Sequence, residues 1–228
     1  MKKILLLSAN PKNTEALRLN AEVREIQTGL ERAKKRDQFE IKPVAALRVA
    51  DLRRALLKEE PQIVHFCGHG AGEKGLVLEN DLGHAQLVTT ESLAELFKLF
   101  QAQIECVVLN ACYSEIQAKA IYESIPCVIG MKQAIGDQAA ISFSIGFYDA
   151  LGSGRAYLDA YAFGCNAINL QGLSESLTPV LMNRMHTQID STAVVEPEST
   201  KEKPPITMTA GDHAKQVGYI EQVETINF

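Results

Sequence analysis

The sequence contains no long apolar run and no excess of positive charge. No stretch approaches the roughly 18 apolar residues that a membrane-spanning helix needs. The opening MKKILLLSAN has an apolar part, residues 4–7, that is too short for the apolar region of a signal peptide. The net charge of −5 gives no electrostatic reason to expect nucleic acid or an anionic membrane as a partner.

Cysteine is scarce, and its number is odd. The five cysteines lie mostly within apolar, strand-like runs, which argues against a disulfide framework and indicates reduced thiols. We therefore expect a soluble protein of the cytoplasm.

Motifs for cofactors and metals are also missing. The glycine-rich GHGAGEKG does not have the order G-x-x-x-x-G-K-[ST] of a phosphate-binding loop, and no dinucleotide fingerprint follows the first predicted strand. His65, Cys67 and His69 alternate along the chain, but no second cluster completes the four ligands of a zinc site. We expect neither a cofactor nor a metal.

Short apolar runs alternate with segments of helical periodicity up to about residue 180. The runs predict strands near residues 3–8, 39–44, 62–67, 104–109 and 125–129, with helices between most of them and a small hairpin over 75–88. Thr14 is the expected N-cap of the first helix, which is predicted to end near Lys35. Strands that are apolar throughout indicate a mainly parallel sheet covered on both faces. The predicted fold is an α/β doubly wound αβα sandwich.

The composition changes near residue 190, which suggests three parts. Residues 1–185 are predicted to form the folded domain. Residues 186–205 are rich in proline and charge, with little to bury, and are predicted to be a flexible linker. Residues 206–228 form a separate C-terminal tail.

Reactive side chains follow two of the central predicted strands. HFCGHG, residues 65–70, comes after the third strand, and LNACYSE, residues 109–115, after the fourth. Since sites in such sheets lie at the carboxyl ends of the strands, we expect His69 and Cys112 to emerge side by side. An imidazole and a nearby helix N-terminus would favour the thiolate of Cys112. The amides of Gly70 and Cys112 could then form an oxyanion hole.

These motifs resemble a known family. VHFCGHG and VVLNACYSE, followed by PCVIGMKQAIGDQAAISFSIGFYDAL, are similar to the caspase-like CHAT peptidases of bacteria, relatives of caspases, metacaspases and separase. The resemblance covers about residues 1–180. It implies that His69 and Cys112 form the catalytic dyad.

Asp137 has two interpretations. In caspase-like folds the segment after the fifth strand contributes to the pocket for the residue before the cut, and the resemblance implies that a carboxylate there would select Lys or Arg. Alternatively, Asp137 only caps a helix that starts at Gln138. Ser8 and Asn10, which follow the first strand, are further candidates for lining the cleft.

The tail has a pattern of its own. Its β-branched and aromatic residues lie among Gln, Asn and Thr, and the stretch KQVGYI resembles short amyloid-forming signalling motifs of bacterial effector proteins. A disordered tail, or a strand added to the edge of its own sheet, is the alternative.

The sequence thus predicts a caspase-like cysteine endopeptidase that acts on a protein or peptide substrate. We expect a signalling or defence effector, recruited to an upstream sensor protein through residues 206–228. One alternative is a catalytically inactive module of the same fold that binds a peptide or partner. Another is a flavodoxin-like domain that responds to nucleotides.

Overall fold

The computed structural model describes residues 1–185. The predicted linker and tail lie outside these residues. Nine strands occur in the described part, in this order: β1 Lys2–Ser8, β2 Phe39–Val44, β3 Ile63–Cys67, β4 His69–Gly70, β5 Leu76–Glu79, β6 Ala85–Val88, β7 Cys106–Asn110, β8 Cys127–Met131 and β9 Pro179–Asn183. The α-helices are α1 Leu19–Arg32, α2 Val49–Glu59, α3 Thr90–Lys98, α4 Glu115–Tyr122, α5 Asp137–Gly152 and α6 Tyr157–Leu170.

Six strands form one sheet in the order β2-β1-β3-β7-β8-β9. The first five are parallel to one another, and β9 pairs antiparallel with β8. The short strands β4, β5 and β6 form a separate antiparallel sheet. The predicted fold class, a mainly parallel sheet within an α/β sandwich, is confirmed.

Each face of the large sheet packs against its own set of helices. Alternate strand residues such as Leu5 and Leu7 join one apolar cluster with buried residues of α2, α3 and α4. The intervening residues, such as Ile4 and Leu6, join a second cluster with buried residues of α1, α5 and α6. This alternation follows from the two-residue period of a strand, and it explains why the central strands are apolar throughout.

The first helix begins later than its periodicity predicted. Thr14, the expected N-cap, lies in the loop after β1, and the helix starts at Leu19 with Arg18 as its N-cap. Asn10 holds this loop: its side chain accepts a hydrogen bond from the Leu17 N–H at 3.2 Å and donates one to the Leu17 carbonyl at 3.1 Å. Local side-chain bonds of this kind compete with helix formation.

Strand β9 was not predicted. Its register along β8, from Pro179 opposite Met131 to Asn183 opposite Cys127, closes one edge of the large sheet. In residues 1–185, no helix has both the length and the apolar character needed to cross a membrane.

Candidate active site at the carboxyl edge of the sheet

Strands β3 and β7 end at the same level of the sheet. They are parallel neighbours with Cys67 opposite Asn110, the last residue of each strand. His69 follows β3 by two residues and Cys112 follows β7 by two residues. Both side chains line one small cavity of about 40 Å³, which we call the edge cavity. Its other walls come from the chain entering α1 and from the first turn of α5.

The imidazole of His69 is held by the main chain. Its Nε2 lies 2.9 Å from the carbonyl oxygen of Glu15, in the loop after β1. Because a carbonyl oxygen can only accept, Nε2 carries the hydrogen, and Nδ1 of the neutral ring keeps its lone pair. The ring is therefore oriented and has its basic nitrogen available.

The thiol of Cys112 is half-buried and contacts the main chain of Ile135. Its sulfur accepts a hydrogen bond from the Ile135 N–H at 3.5 Å and lies 3.7 Å from the Ile135 carbonyl oxygen. An N–H directed at sulfur stabilises negative charge there. The segment between β8 and α5 thus supports the nucleophile candidate.

Three other cysteines lie in surroundings that disfavour a thiolate. Burial, reinforced by the negative charge of Glu22, raises the pKa of the Cys67 thiol well above its usual range. Burial and the neighbouring Cys127 do the same to the pKa of Cys106, and burial raises the pKa of Cys165. Fully buried thiols such as Cys67 and Cys106 are inert. Cys165 is half-buried, but its raised pKa disfavours the thiolate, so Cys112 is favoured as the reactive cysteine.

Gly70 approaches the Cys112 backbone so closely that no side chain fits between them. A Cβ atom on Gly70 would lie 1.9 Å from the Cys112 carbonyl oxygen. Ala71 donates to Gly75 at 2.9 Å, so the alternation of an antiparallel ladder turns the Gly70 N–H away from β5. Within residues 1–185, no hydrogen-bond acceptor is found for the Cys112 N–H. Both amides are thus available to an oxyanion.

Tyr113, directly after the cysteine, adopts a conformation unusual for its type. Its φ is 56°, in the left-handed region that residues other than glycine seldom occupy. Its N–H donates to the carbonyl of Gln133 at 3.2 Å, which helps to hold the turn. Such strain is often found at functional sites. Tyr113 was not predicted from the sequence, since no residue type signals a left-handed tyrosine.

Asp137 also lines the edge cavity. It is the first residue of α5, after Gly136 as N-cap, so it does not cap a helix starting at Gln138. Its Oδ2 instead accepts a hydrogen bond from the Arg18 N–H at 3.0 Å, at the entry to α1. Arg18 is exposed and lines the cavity as well. Asp137 and Arg18, two residues of opposite charge, thus both line the cavity.

Ser8 and Asn10 do not line the edge cavity. Ser8 is buried at the end of β1. Asn10 ties the loop that carries Glu15, so its effect on the site is indirect.

A buried polar network lies beneath the cavity and was not predicted. Oε1 of Glu22 accepts from Asn110 Nδ2 at 2.6 Å, from Ser144 Oγ at 2.7 Å and pairs with His65 Nε2 at 2.9 Å. The Tyr148 hydroxyl lies 3.2 Å from His65 Nδ1. The signal in the sequence was Glu22 itself, an acidic residue within the apolar stripe of α1 that also contains Leu19, Ile26 and Leu30.

One group in this network has a metal-like donor set. Ligand atoms of Glu22, His65 and Cys67 lie within 4.8 Å of one another. All three have protein partners, since the Cys67 thiol donates to the Leu7 carbonyl at 3.6 Å and both imidazole nitrogens of His65 are paired. His69 lies outside this group, because the chain leaves β3 before reaching it.

A family model and two relatives match most of the part of the chain that carries this site. The family model described as "CHAT domain" matches residues 2–162. A "Roc-COR-CHAT protease" from an unknown prokaryotic organism is 27% identical over 158 residues, which is 66% of this chain and 15% of that protein. A "Probable protease" of Gillisia limnaea is 24% identical over 156 residues, 68% of this chain and 28% of the relative. The chain thus matches under a third of each relative's length.

Solved caspase structures share the fold. The Drosophila initiator caspase Dronc aligns with a TM-score of 0.51 and 9% identity, over 79% of each chain. Caspase-1 from Spodoptera frugiperda aligns with a TM-score of 0.52 and 12% identity, over 80% of this chain and 85% of the caspase.

Proposed function

Because the chain belongs to the CHAT domain family, we propose that it is a caspase-like cysteine endopeptidase, with Cys112 as nucleophile and His69 as base. The observation that carries the proposal is the shared edge cavity. Both side chains line it, and the Glu15 carbonyl leaves Nδ1 of His69 free to accept a proton. Relatives that are named proteases support the same activity.

The proposed reaction begins when Nδ1 of His69 takes the proton from the Cys112 thiol. The thiolate attacks the scissile carbonyl carbon, and the C=O electron pair moves to oxygen. The N–H groups of Gly70 and Cys112 stabilise this oxyanion. As the carbonyl reforms, the C–N bond breaks, and the leaving amine takes its proton from His69. Water, deprotonated by the same imidazole, then attacks the thioester and releases Cys112.

A peptide library tests the activity directly. The protein is incubated with diverse peptides and the cut sites are mapped by mass spectrometry, with Cys112→Ala in parallel. We expect cleavage by the parent protein and none by the variant. If neither Cys112 labelling by a peptide chloromethyl ketone nor cleavage occurs, the proposal is contradicted, which is the result that the alternative of an inactive binding module predicts.

We propose that the substrate is cut after Lys or Arg. Two carboxylates, Asp137 and Glu22, line the edge cavity, and a carboxylate forms strong charge-assisted hydrogen bonds with a cation. Asp137 is the substrate-binding residue that the family resemblance implies. The cut-site map from the library tests this preference, and cleavage after Asp would contradict it.

We propose further that this is a cytoplasmic signalling or defence effector, activated when residues 206–228 recruit it to an upstream sensor. The support is the sequence pattern of the tail, since crowding by templated assembly raises the effective concentration of the attached domains. Fusing residues 190–228 to a fluorescent protein tests this step. We expect assemblies to form; a fusion that stays diffuse and monomeric at high concentration would contradict the proposal.

A further inference from the structure

Glu22 brings a buried carboxylate to the edge cavity. Its side chain is only 3% exposed, yet the residue lines the cavity beside Cys112 and His69. The two carboxylate oxygens differ: Oε1 has three partners, whereas no donor among residues 1–185 is within hydrogen-bond range of Oε2. The oxygen without a partner is the one available to a ligand that enters the cavity.

Three side chains contact Oε1, and none of them is a lysine or an arginine. Asn110 and Ser144 contribute an amide and a hydroxyl. The third partner is the imidazole of His65, whose Nε2 lies 2.9 Å from Oε1 of Glu22 and whose Nδ1 lies 3.2 Å from the Tyr148 hydroxyl. Among residues 1–185, no lysine or arginine side chain forms an ion pair with the buried Glu22 carboxylate. Because a buried charge is costly unless it is paired, the site favours a cationic ligand.

We infer that Glu22 determines specificity in the proposed peptidase, by binding the cationic end of the Lys or Arg side chain that precedes the scissile bond. The inference rests on the proposed function and names the group that the substrate contacts. Asn110, Ser144 and His65 act as positioning residues, because their bonds to Oε1 fix the carboxylate and turn Oε2 towards the substrate.

The size and charges of the cavity agree with this assignment. A water molecule needs about 10–15 Å³, so a cavity of about 40 Å³ holds roughly three waters, enough for the end of an unbranched chain and too little for an aromatic ring. Two other charged residues line it, Asp137 and the exposed Arg18. Solvent screens an exposed guanidinium more than a buried carboxylate, so Glu22 has the stronger effect on a substrate side chain.

The replacement Glu22→Gln tests the inference with little structural change. Its Oε1 can still accept from Asn110, Ser144 and His65, while an uncharged amide takes the place of Oε2. The measurement is kcat/KM for peptides that differ only before the cut, carrying either lysine or norleucine. We expect the lysine-to-norleucine ratio to fall at least about 30-fold, as when a buried cation loses its partner. Glu31→Gln, an exposed change on the same helix, should leave the ratio unchanged.

A second measurement uses the unmodified protein, so it does not depend on how the variant folds. Peptide chloromethyl ketones with lysine or norleucine at the reactive end are compared by their rates of Cys112 labelling. We expect lysine to react at least about 30-fold faster. Equal rates on an active enzyme would overturn the inference alone, as would a Glu22→Gln variant that keeps its preference for lysine.

Two further outcomes would point elsewhere. A loss of lysine preference in Asp137→Asn but not in Glu22→Gln would assign the role to Asp137. Cleavage after acidic residues that is lost in Arg18→Gln would show that the guanidinium selects the substrate, and would also overturn the inference. If no peptide is cut and none labels Cys112, the proposed function itself fails, and the inference with it.

Discussion

Two pairs of the same residue types lie at different depths around the end of β3. His65 and Cys67 are within the strand, fully buried, and paired with Glu22, Tyr148 and the Leu7 carbonyl. His69 and Cys112 lie beyond the strand ends and line a cavity. The comparison teaches that residue type alone does not identify a site. Position relative to the end of a parallel strand separates a pair buried within the sheet from a pair that lines a cavity.

The largest expected effect comes from replacing the two cysteines, Cys112 and Cys67, in turn. Cys112→Ala removes the proposed nucleophile, and we expect kcat/KM to fall at least about 10⁴-fold. Cys67→Ala should keep kcat/KM within about threefold and lower the free energy of unfolding by about 1–2 kcal/mol, through a small cavity. Peptide cleavage and urea unfolding measure the two effects. A folded Cys67→Ala variant without activity would invalidate the assignment.

The two histidines provide the next test. His69→Ala removes the proposed base, and we expect kcat/KM to fall about 10³–10⁴-fold with an unchanged unfolding midpoint. His65→Ala should instead lower the free energy of unfolding by about 3 kcal/mol, because it removes a partner from the buried Glu22 and from Tyr148. Steady-state kinetics and urea unfolding on both variants separate these outcomes. Loss of stability in His69→Ala rather than His65→Ala would reverse the interpretation.

Replacement of Gly70 tests whether the main chain around Cys112 contributes to activity. In Gly70→Ala the new Cβ would meet the Cys112 carbonyl oxygen. The backbone segments that carry residues 70 and 112 must then move apart, which changes the distance between their N–H groups. We expect kcat/KM to fall about 10²-fold or more, as for the loss of an oxyanion-hole donor. Gly172→Ala is the control, because its Cβ would meet nothing within 4 Å. It should cost only about 1 kcal/mol of stability for its left-handed φ.

The smallest effect concerns pH. The pKa of the Cys67 thiol is raised by burial, whereas a thiol in an unfolded chain ionises near pH 8.5. The contribution of the Cys67 thiol to the free energy of unfolding is therefore fully present below about pH 8.5. It declines as pH rises, because the unfolded state then loses a proton that the folded state keeps. Between about pH 9 and 10 the free energy of unfolding should decrease less steeply with pH in Cys67→Ala than in the unchanged protein. We expect the two slopes to differ by up to about 1.4 kcal/mol per pH unit.

Urea unfolding at several pH values measures this slope. The exposed change Glu31→Gln is the control, since its carboxylate does not titrate in this range. Identical slopes for Cys67→Ala and the unchanged protein would show that the thiol ionises equally in both states.

Much of the fold could be predicted because the central strands carry a strong and simple signal. Runs such as 63–67 and 106–110 are buried on both sides, which requires apolar residues on both faces and marks a parallel sheet. Strand β9 was missed because it lies at an edge, where most of its residues are only half-buried. The start of α1 was missed because Asn10 and Leu17 compete with the helix through bonds that the periodicity does not show.

The site was predictable only in part, for a related reason. His69 and Cys112 follow recognisable strands, so topology alone brings them to one cavity. Glu22 and Ser144 are 122 positions apart in the sequence. They lie on α1 and α5, and their contact depends on how these two helices pack on the sheet. Three-dimensional packing of this kind leaves only an indirect trace in the sequence, a polar residue within an apolar stripe.

The bond between Glu15 and His69 has a consequence for how this protein tolerates change. The contact uses a backbone carbonyl, so the identity of the side chain at position 15 is free to vary while the length of the loop is not. A scan of single substitutions would find the position neutral. A deletion of one residue between Pro11 and Leu17 would displace the carbonyl and release the imidazole. At position 15 the loop is therefore constrained by its number of residues and not by the identity of the side chain.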